Sequence, residues 1–392
     1  MSDALMTTYK RLPVNFTHGE GAWLWDDQDK RYLDALSGIA VCSLGHAHPA
    51  VTRALCEQAG RLVHTSNVYG IPNQEKLGDT LTQLADMERV FFANSGAEAN
   101  EAAIKLARLY GHGKGIDLPL IVVAENSFHG RTLATLTATG NRKVQAGFEP
   151  LVQGFVRVPY GDAEALRTVA ANQPNVVAVL LEPIQGEGGV NIPPGDYLNQ
   201  VRDICDANDW LMMLDEIQTG MGRTGRMFAH QHNGIRPDVM TLAKALGNGV
   251  PIGACLAAGQ AASLFAPGNH GSTFGGNPLV CAAAQAVCDT LVSDNLVARA
   301  ETLGQELLDG FRAQLGDVAG VTAIRGLGLM IGIALDRPCA ELVGKALAQG
   351  LLINVTADSV IRLLPPLIMD AAQTQQLIDG VSALVKDFLA GA

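Results

Sequence analysis

The segment "DVMTLAKALGNGVPIGA" (residues 238–254) decides how this chain folds and where its chemistry lies. It begins with a short apolar run typical of a buried strand, and Lys244 follows directly in a bend rich in glycine and other small residues. Surface lysines usually lie among polar residues. A lysine at the end of a core strand either extends its amine to solvent or uses that amine in chemistry. The rest of the chain has to distinguish these two possibilities.

Short apolar runs recur along the middle of the chain, and most are separated by segments with helical periodicity. The runs are "RVFFA", "LIVVAE", "FVRVP", "VVAVLLE", "WLMMLDE", "DVMTLA" and "GACLAA". Buried strands that alternate with helices indicate a mostly parallel sheet covered on both faces. The sequence therefore predicts an α/β large domain.

The flanking segments have a different pattern. Residues 21–38 have the alternation and turn chemistry of a small hairpin, and residues 295–315 form an amphipathic helix that precedes two short strands and a last helix. We predict an N-terminal segment over residues 1–58, a large domain over 59–276 and a smaller C-terminal domain over 277–392.

The composition excludes several classes of protein. Hydrophobic residues make up 48% and charged residues 17%, which is typical of a globular chain. The net charge is −11 and no run is rich in Lys or Arg, so nucleic acid and anionic membranes are poor candidate partners. No apolar stretch approaches the ~18–20 residues of a membrane span, and the start lacks the apolar region of an export signal. We expect a soluble, cytoplasmic protein.

Metal binding is not indicated either. The seven cysteines are scattered and never spaced CxxC, as expected of reduced core residues. The pairs His46/His48 and His230/His232 have the HxH spacing, but no third ligand accompanies them, so we predict no metal site.

Polar residues follow several predicted strands at the edge where open α/β sheets bind ligands. After "RVFFA", Ser95, Gly96 and Ala97 lead into a helix, whose bare N–H groups suit a phosphate, although an ordinary helix cap would have the same residues. After "VVAVLL", Glu182 and Glu187 lie in a bend rich in Pro and Gly, where solvated loop residues are the simpler interpretation.

An acid and an amine complete this edge. Asp215 ends a very apolar strand, where a carboxylate needs a cation or donors to stay ionised, and a structural salt bridge would satisfy it equally well. Lys244 ends the next predicted strand. A phosphate site, an acid that keeps a pyridine nitrogen protonated and a lysine amine that bonds to an aldehyde together predict a pyridoxal 5′-phosphate site.

Two arginines lie among apolar and small residues, where a guanidinium is unfavourable without an anion. They are Arg131 in "FHGRTLATL" and Arg362 in "VIRLLPPL". Each is suited to bind a carboxylate through two hydrogen bonds, and the alternative for each is a structural ion pair.

A dinucleotide site is the alternative from another class of protein. The segment "GMGRTG" (residues 220–225) has the GxGxxG spacing, but "DEIQT" separates it from its strand and a poor helix follows it. The required strand, glycine turn and helix are missing, so we reject this interpretation.

Ordered motifs over nearly the whole chain resemble the class III pyridoxal-phosphate aminotransferases of fold type I. The motifs include "FFANSGAEANEAAIKLAR", "SFHGRTLATL", "LEPIQGEGGV", "LDEIQTGMGRTG", "LAKALGNGVPIGA" and "HGSTFGGNPL". The resemblance implies a large domain with a seven-stranded, mostly parallel sheet, and a smaller α+β domain built from the N-terminal segment and the C-terminal part. It also implies a homodimer with shared active sites.

The resemblance also implies roles for individual residues. Lys244 would bind the cofactor's aldehyde, Asp215 would pair with its ring nitrogen, and the remaining cofactor contacts would come from Ser95, Gly96, Ala97, Phe128, Glu182, Gln218 and, across the dimer, Thr273. Position 97 is often Thr in the family, so Ala97 leaves that contact to the backbone N–H.

For the substrates, the resemblance assigns the α-carboxylate to Arg362 and the distal carboxylate to Arg131, with Ser272 also in contact. Glu187 would pair with Arg362 until glutamate displaces it. Ile39 replaces a tyrosine that contacts free ornithine in ornithine δ-aminotransferases, which favours an acylated substrate.

The motifs are most similar to those of bacterial members that act on N²-acetylornithine and 2-oxoglutarate in arginine biosynthesis. N-succinyl-diaminopimelate, in lysine biosynthesis, is a plausible second substrate. Succinylornithine, free ornithine and 4-aminobutyrate stay open as alternative donors. A relative that binds the cofactor without turnover is the non-enzymatic alternative, and the joint presence of Lys244, Asp215, Arg131 and Arg362 argues against it.

Overall fold

The computed structural model describes residues 4–391, which form three β-sheets and the helices that cover them. The strands are β1 (Phe16–Glu20), β2 (Trp23–Asp26), β3 (Arg31–Asp34), β4 (Arg89–Ala93), β5 (Leu120–Ala124), β6 (Phe155–Val158), β7 (Val176–Leu181), β8 (Leu211–Asp215), β9 (Val239–Leu242), β10 (Gly253–Ala257), β11 (Val321–Leu327), β12 (Met330–Leu335), β13 (Leu351–Leu352), β14 (Asn354–Thr356) and β15 (Val360–Leu363).

The helices vary from single turns to about five turns. They are α1 (Ser37–Ala40), α2 (Pro49–Ala59), α3 (Pro72–Ala85), α4 (Gly96–Gly113), α5 (Leu133–Ala138), α6 (Arg142–Gln145), α7 (Ala163–Asn172), α8 (Tyr197–Asn208), α9 (Pro278–Ser293), α10 (Leu296–Leu315), α11 (Glu341–Ala348) and α12 (Ala371–Ala390), together with 3₁₀ turns at Ala229–Asn233, Lys244–Leu246 and Gly259–Ser263.

The central sheet has seven strands in the order β4-β10-β9-β8-β7-β5-β6. All adjacent strands are parallel except at β10, which runs antiparallel to both β4 and β9. Residues of β7 belong to two separate hydrophobic clusters, one with α4 and the other with α7 and α8. Both faces of the sheet are therefore covered, and the predicted α/β fold with seven mostly parallel strands is confirmed.

Two four-stranded sheets flank the central one. In the first, with the order β1-β2-β3-β13, the N-terminal hairpin is joined by a strand from the C-terminal part of the chain, which pairs parallel to β3. The second, with the order β11-β12-β15-β14, is antiparallel throughout. The domain boundaries at residues 58/59 and 276/277 remain a prediction.

The largest hydrophobic core crosses these predicted boundaries. It combines Leu33 of the N-terminal sheet, Met240 of the central sheet and Phe311 of α10, all fully buried. The parts of the chain that hold the candidate site are thus packed against one another. Within residues 4–391, no helix has both the length and the apolar character needed to cross a bilayer.

Candidate active site

A cavity of about 400 Å³ opens where β4, β7, β8 and β9 end. Nine of the residues singled out from the sequence line it: Ser95, Gly96, Ala97, Phe128, Arg131, Glu182, Asp215, Gln218 and Lys244. The carboxyl ends of parallel strands meet at one edge of a sheet, and this is why residues so distant in the sequence share one cavity.

Lys244 directly follows β9 and begins a 3₁₀ turn with a positive φ of 48°. Its side chain faces the cavity and is only partly exposed. Desolvation lowers the pKa of the amine to about 8, an effect that the nearby Arg362 reinforces and Glu187 opposes. A larger fraction of this amine than of an ordinary lysine is therefore neutral and nucleophilic near neutral pH.

Asp215 ends β8 and is buried, but it does not lack partners. Its Oδ2 accepts a hydrogen bond from Asn100 Nδ2 at 2.7 Å and lies 2.8 Å from His129 Nδ1, while its Oδ1 accepts one from Ile217 N at 3.1 Å. Thr241 donates in turn to Asn100 Oδ1 at 2.7 Å. This network gives the buried carboxylate its hydrogen-bond partners and fixes its orientation at the cavity.

The sequence reasoning missed two members of this network, Asn100 and His129. His129 lies between Phe128 and Arg131, so its neighbours gave some signal. Asn100 is a buried polar residue on α4, and only its position on the inner face of the helix could have indicated a role.

Glu182 follows β7 and is buried. Its carboxylate accepts hydrogen bonds from Phe128 N at 3.0 Å and Gly186 N at 3.2 Å. Burial raises the pKa of this carboxyl to about 7, although the neighbouring His129 partly opposes the shift. Glu182 is thus a second group at the cavity that titrates near neutral pH.

The N-terminus of α4 borders the cavity at Gly96 and Ala97. Ser95 caps the helix by accepting a hydrogen bond from Glu98 N at 3.2 Å. A Cβ atom on Gly96 would lie 2.6 Å from Ile217 Cδ1, so a larger residue here would force the Ile217 side chain to shift. The helix cap is therefore present, and the phosphate site at the same helix end remains a prediction.

The two arginines differ in their surroundings. Arg362 is fully buried, and its Nη1 donates to Glu187 Oε1 at 2.7 Å and to Gln218 Oε1 at 3.2 Å. Its Nη2 has no partner among the described residues. Arg131 is exposed, with its guanidinium 5.4 Å from the centre of the Phe128 ring. The Arg131 guanidinium is thus open to a carboxylate, whereas Arg362 is enclosed, with one buried donor that the ion pair leaves unpaired.

Five predicted site residues do not line the cavity: Glu187 and Arg362, which form the ion pair described above, and Ser272, Thr273 and Ile39. Ser272 and Thr273 line an adjacent hollow that shares Asn94 with it, and Ser272 Oγ accepts from Asn94 Nδ2 at 3.1 Å. Thr273 is exposed. Ile39 is 36% exposed and belongs to α1, two residues before Val41, which does line the cavity.

The "GMGRTG" segment is structural. Residues 220–225 form turns without a following α-helix. Arg223 is buried there and donates to the backbone carbonyls of Leu329 at 3.1 Å and of Pro365. The segment therefore joins the large domain to the C-terminal part.

The cavity fits pyridoxal 5′-phosphate by the chemistry of its groups. A desolvated lysine amine, a buried carboxylate with three donors and a helix N-terminus border the same space. They match the aldehyde, the ring nitrogen and the phosphate of this cofactor.

Comparison with known proteins agrees with this chemistry. Residues 5–385 match the family described as Aminotransferase class-III. The acetylornithine aminotransferase of Nitrosomonas europaea is 61% identical over 385 residues, which cover 98% of each chain.

Solved structures give the same result. The ornithine aminotransferase of Toxoplasma gondii superposes with a TM-score of 0.95 at 35% identity, over 99% of this chain and 94% of the other. The acetylornithine aminotransferase of Elizabethkingia anophelis superposes with a TM-score of 0.87 at 35% identity, over 97% and 96%. This chain belongs to the class III aminotransferases, enzymes that use pyridoxal 5′-phosphate.

Proposed function

We propose that this enzyme transfers the δ-amino group of N²-acetylornithine to 2-oxoglutarate, giving N-acetylglutamate 5-semialdehyde and glutamate in two successive half-reactions. The observation that carries the proposal is the 2.7 Å pair between Arg362 and Glu187 beside the cavity that Lys244 lines. The identity of 61% to a relative called acetylornithine aminotransferase supports the donor. We assign the reaction to arginine biosynthesis in the cytoplasm.

The cofactor would be held by groups from several elements. Lys244 would bond to its aldehyde, Asp215 would keep its ring nitrogen protonated, and the N-terminus of α4 would bind its phosphate. Phe128 would stack on the ring, and Glu182 and Gln218 would lie near its polar substituents.

Pyridoxal phosphate, when bound, supplies an electron sink for the bond that breaks at the substrate carbon. Lys244 Nζ, once free, would accept the proton from that carbon and deliver it as a general acid. Asn100 and Ile217 donate to the two oxygens of Asp215 and would hold its carboxylate in place beside the ring nitrogen.

The two substrates differ in the carboxylates that they bring to the cavity. N²-acetylornithine has one carboxylate, remote from its reacting amine, which Arg131 would bind while Arg362 stays paired with Glu187. Glutamate has a second carboxylate beside its amine, which would take Glu187's place on Arg362. Glu187 thus provides an anion for the buried guanidinium of Arg362 whenever the substrate brings none. Leaving that guanidinium without an anion would cost ~2–5 kcal/mol.

Each active site would be shared between two subunits. Thr273 is exposed just outside its own cavity, and its neighbour Phe274 is 59% exposed, as expected of residues that a second copy covers. Thr273 of each subunit would then reach the phosphate bound by the other.

The test is the visible absorbance of the purified enzyme with bound cofactor. N²-acetylornithine should bleach the visible band of the bond between Lys244 and the cofactor, and 2-oxoglutarate should restore that band. Free ornithine and 4-aminobutyrate should bleach it more slowly. A Lys244→Ala variant should lack the absorbance band of the lysine–cofactor bond, and Lys143→Ala, at an exposed lysine, serves as its control. If succinylornithine or 4-aminobutyrate bleaches the band faster, that amine is the donor instead of N²-acetylornithine. If no amine bleaches the band, the proposal is overturned.

A further inference from the structure

The backbone of the loop that carries Glu187 is held by the C-terminal sheet. Arg325 of β11 donates from Nη2 to the carbonyl of Gly189 at 2.7 Å and from Nε to the carbonyl of Val190 at 2.8 Å. Two bonds from one planar guanidinium fix the direction of both carbonyls. The loop end next to Glu187 is therefore oriented by a residue distant from it in the sequence.

A third hydrogen bond, from another residue, holds the loop at Glu187 itself. Thr356, a buried residue of β14, donates its hydroxyl to the carbonyl of Glu187. Val190 is fully buried against Gly332 of β12, where a Cβ atom would lie 2.9 Å from the Val190 Cβ. Polar and apolar contacts thus hold the loop, residues 187–190, against the C-terminal sheet β11-β12-β15-β14.

The same sheet carries the arginine that Glu187 contacts. Arg362 lies on β15, opposite Asn354 of β14, whose Oδ1 accepts from Arg362 Nε at 3.1 Å. The Glu187 backbone and the Arg362 guanidinium are consequently both held by the C-terminal sheet. The side chain of Glu187 is 34% exposed and is the part of this pair with room to move.

We propose that Arg325 and Thr356 are positioning residues for Glu187: by holding its backbone they direct its carboxylate at Arg362, and so set the selectivity between substrates with and without a carboxylate beside the reacting carbon. The inference rests on the proposed function for the role of the pair. In this arrangement Glu187 leaves Arg362 by rotation of its own side chain.

Loosening the loop should act in opposite directions on the two kinds of substrate. Glu187 would point at Arg362 for less of the time, so a carboxylate would compete with it more easily. A dicarboxylate should then bind about three- to tenfold more tightly. A donor that leaves Arg362 without a carboxylate should react more slowly, because the guanidinium loses part of its anion.

The first measurement is the Kd of glutarate for the enzyme with bound cofactor, by calorimetry. Glutarate has two carboxylates and neither an amine nor a keto group, so it reports access to the arginines without turnover. We expect Thr356→Val and Arg325→Met to lower this Kd, in the direction of Glu187→Ala. Thr356→Ser keeps the hydroxyl and should bind glutarate as the wild type does.

The second measurement is the rate of each half-reaction in single turnover. Relative to wild type, Thr356→Val should raise kcat/KM for glutamate and lower it for N²-acetylornithine. Unchanged or weaker glutarate binding in Thr356→Val and Arg325→Met, equal losses in both half-reactions, or a Thr356→Ser variant that behaves like Thr356→Val would each overturn the inference. If the wild type fails to react with N²-acetylornithine, the proposed donor is wrong, and the glutarate series still decides the role of Arg325 and Thr356.

Discussion

Lys244 has to be uncharged in order to attack an aldehyde, and its surroundings favour that form. Desolvation lowers the pKa of its amine from 10.5 to about 8. We predict that cofactor-free enzyme captures pyridoxal phosphate faster as the pH rises, with a midpoint near pH 8 and a plateau that begins about one unit above it, because the amine is half neutral at its pKa and almost fully neutral beyond that point. Stopped-flow absorbance measures this rate. A rate that keeps rising beyond pH 10 would mean that the amine behaves like an exposed lysine.

Asn100 is the residue whose removal should damage Asp215 most directly. It donates to Asp215 Oδ2 at 2.7 Å and to the carbonyl of His129 at 2.8 Å. We predict that Asn100→Ala lowers the free energy of unfolding by ~1–3 kcal/mol, because buried acceptors lose their donor, and lowers turnover at least about tenfold. Thermal unfolding and half-reaction rates measure the two effects.

Asn172 provides the matched control for this substitution. It is an exposed asparagine whose amide donates only to the Thr168 carbonyl of its own helix, so Asn172→Ala should change neither stability nor rate appreciably. Turnover in Asn100→Ala equal to that of wild type would remove Asn100 from the support of Asp215.

At the level of elements, the regular strands were predictable and the irregular turn before the cavity was not. The apolar runs indicate β7 and β8 because strands covered on both faces have no polar alternation to obscure them. By contrast, all four residues of α1 have positive φ, including the β-branched Ile39. One glycine among four residues gives no sign of a left-handed turn.

The physical reason for this failure is that contacts from distant segments support the turn together with local ones. Leu364 N donates to the carbonyl of Ala35, just before the turn, at 2.7 Å. Asp34 accepts hydrogen bonds from Leu36 N at 2.9 Å and Ser37 N at 2.8 Å just before it. The same limit applies to the site: Lys244 and Asp215 could be predicted because each charged group ends an apolar strand. Arg325 could not, since its partners lie 135 and 136 residues away.

The support of this turn should depend on pH through His46, whose Nε2 lies 2.8 Å from Asp34 Oδ2. Burial disfavours the charged imidazole, but the Asp34 carboxylate outweighs it and raises the pKa of His46 from 6.5 to about 9. A raised pKa means that the pair stabilises the fold fully below pH 6.5 and loses this effect as the pH rises through about 9.

We therefore predict that the difference in Tm between wild type and His46→Gln is largest near pH 6 and shrinks toward pH 10. Groups that titrate in both proteins cancel in this difference. His18→Gln, at an exposed histidine, is the control and should give a small difference that does not follow this window. A wild-type advantage that grows with pH would contradict the ion pair.

For the whole molecule, the important property is that distant parts of the chain pack into one hydrophobic core. The largest core joins Leu33, Met240 and Phe311, and β13 completes the N-terminal sheet. Lys244 on the central sheet and Arg362 on the C-terminal sheet are thus held at fixed positions relative to each other. Under the proposed function, one cavity would serve two substrates by movement of the Glu187 side chain alone.

The shared active site is the last prediction, and hybrid dimers test it. Thr273→Ala should weaken cofactor binding about tenfold if its hydroxyl donates to a phosphate. In a hybrid of a Thr273→Ala subunit with a Lys244→Ala subunit, isolated with two affinity tags, the only lysine-bearing site lies in the Thr273→Ala subunit. If the threonine comes from the partner, this site receives an intact Thr273 and should bind the cofactor as wild type does, which an absorbance titration measures. If Thr273 serves its own subunit, the site will bind as weakly as in the Thr273→Ala homodimer, and the proposal of shared sites falls.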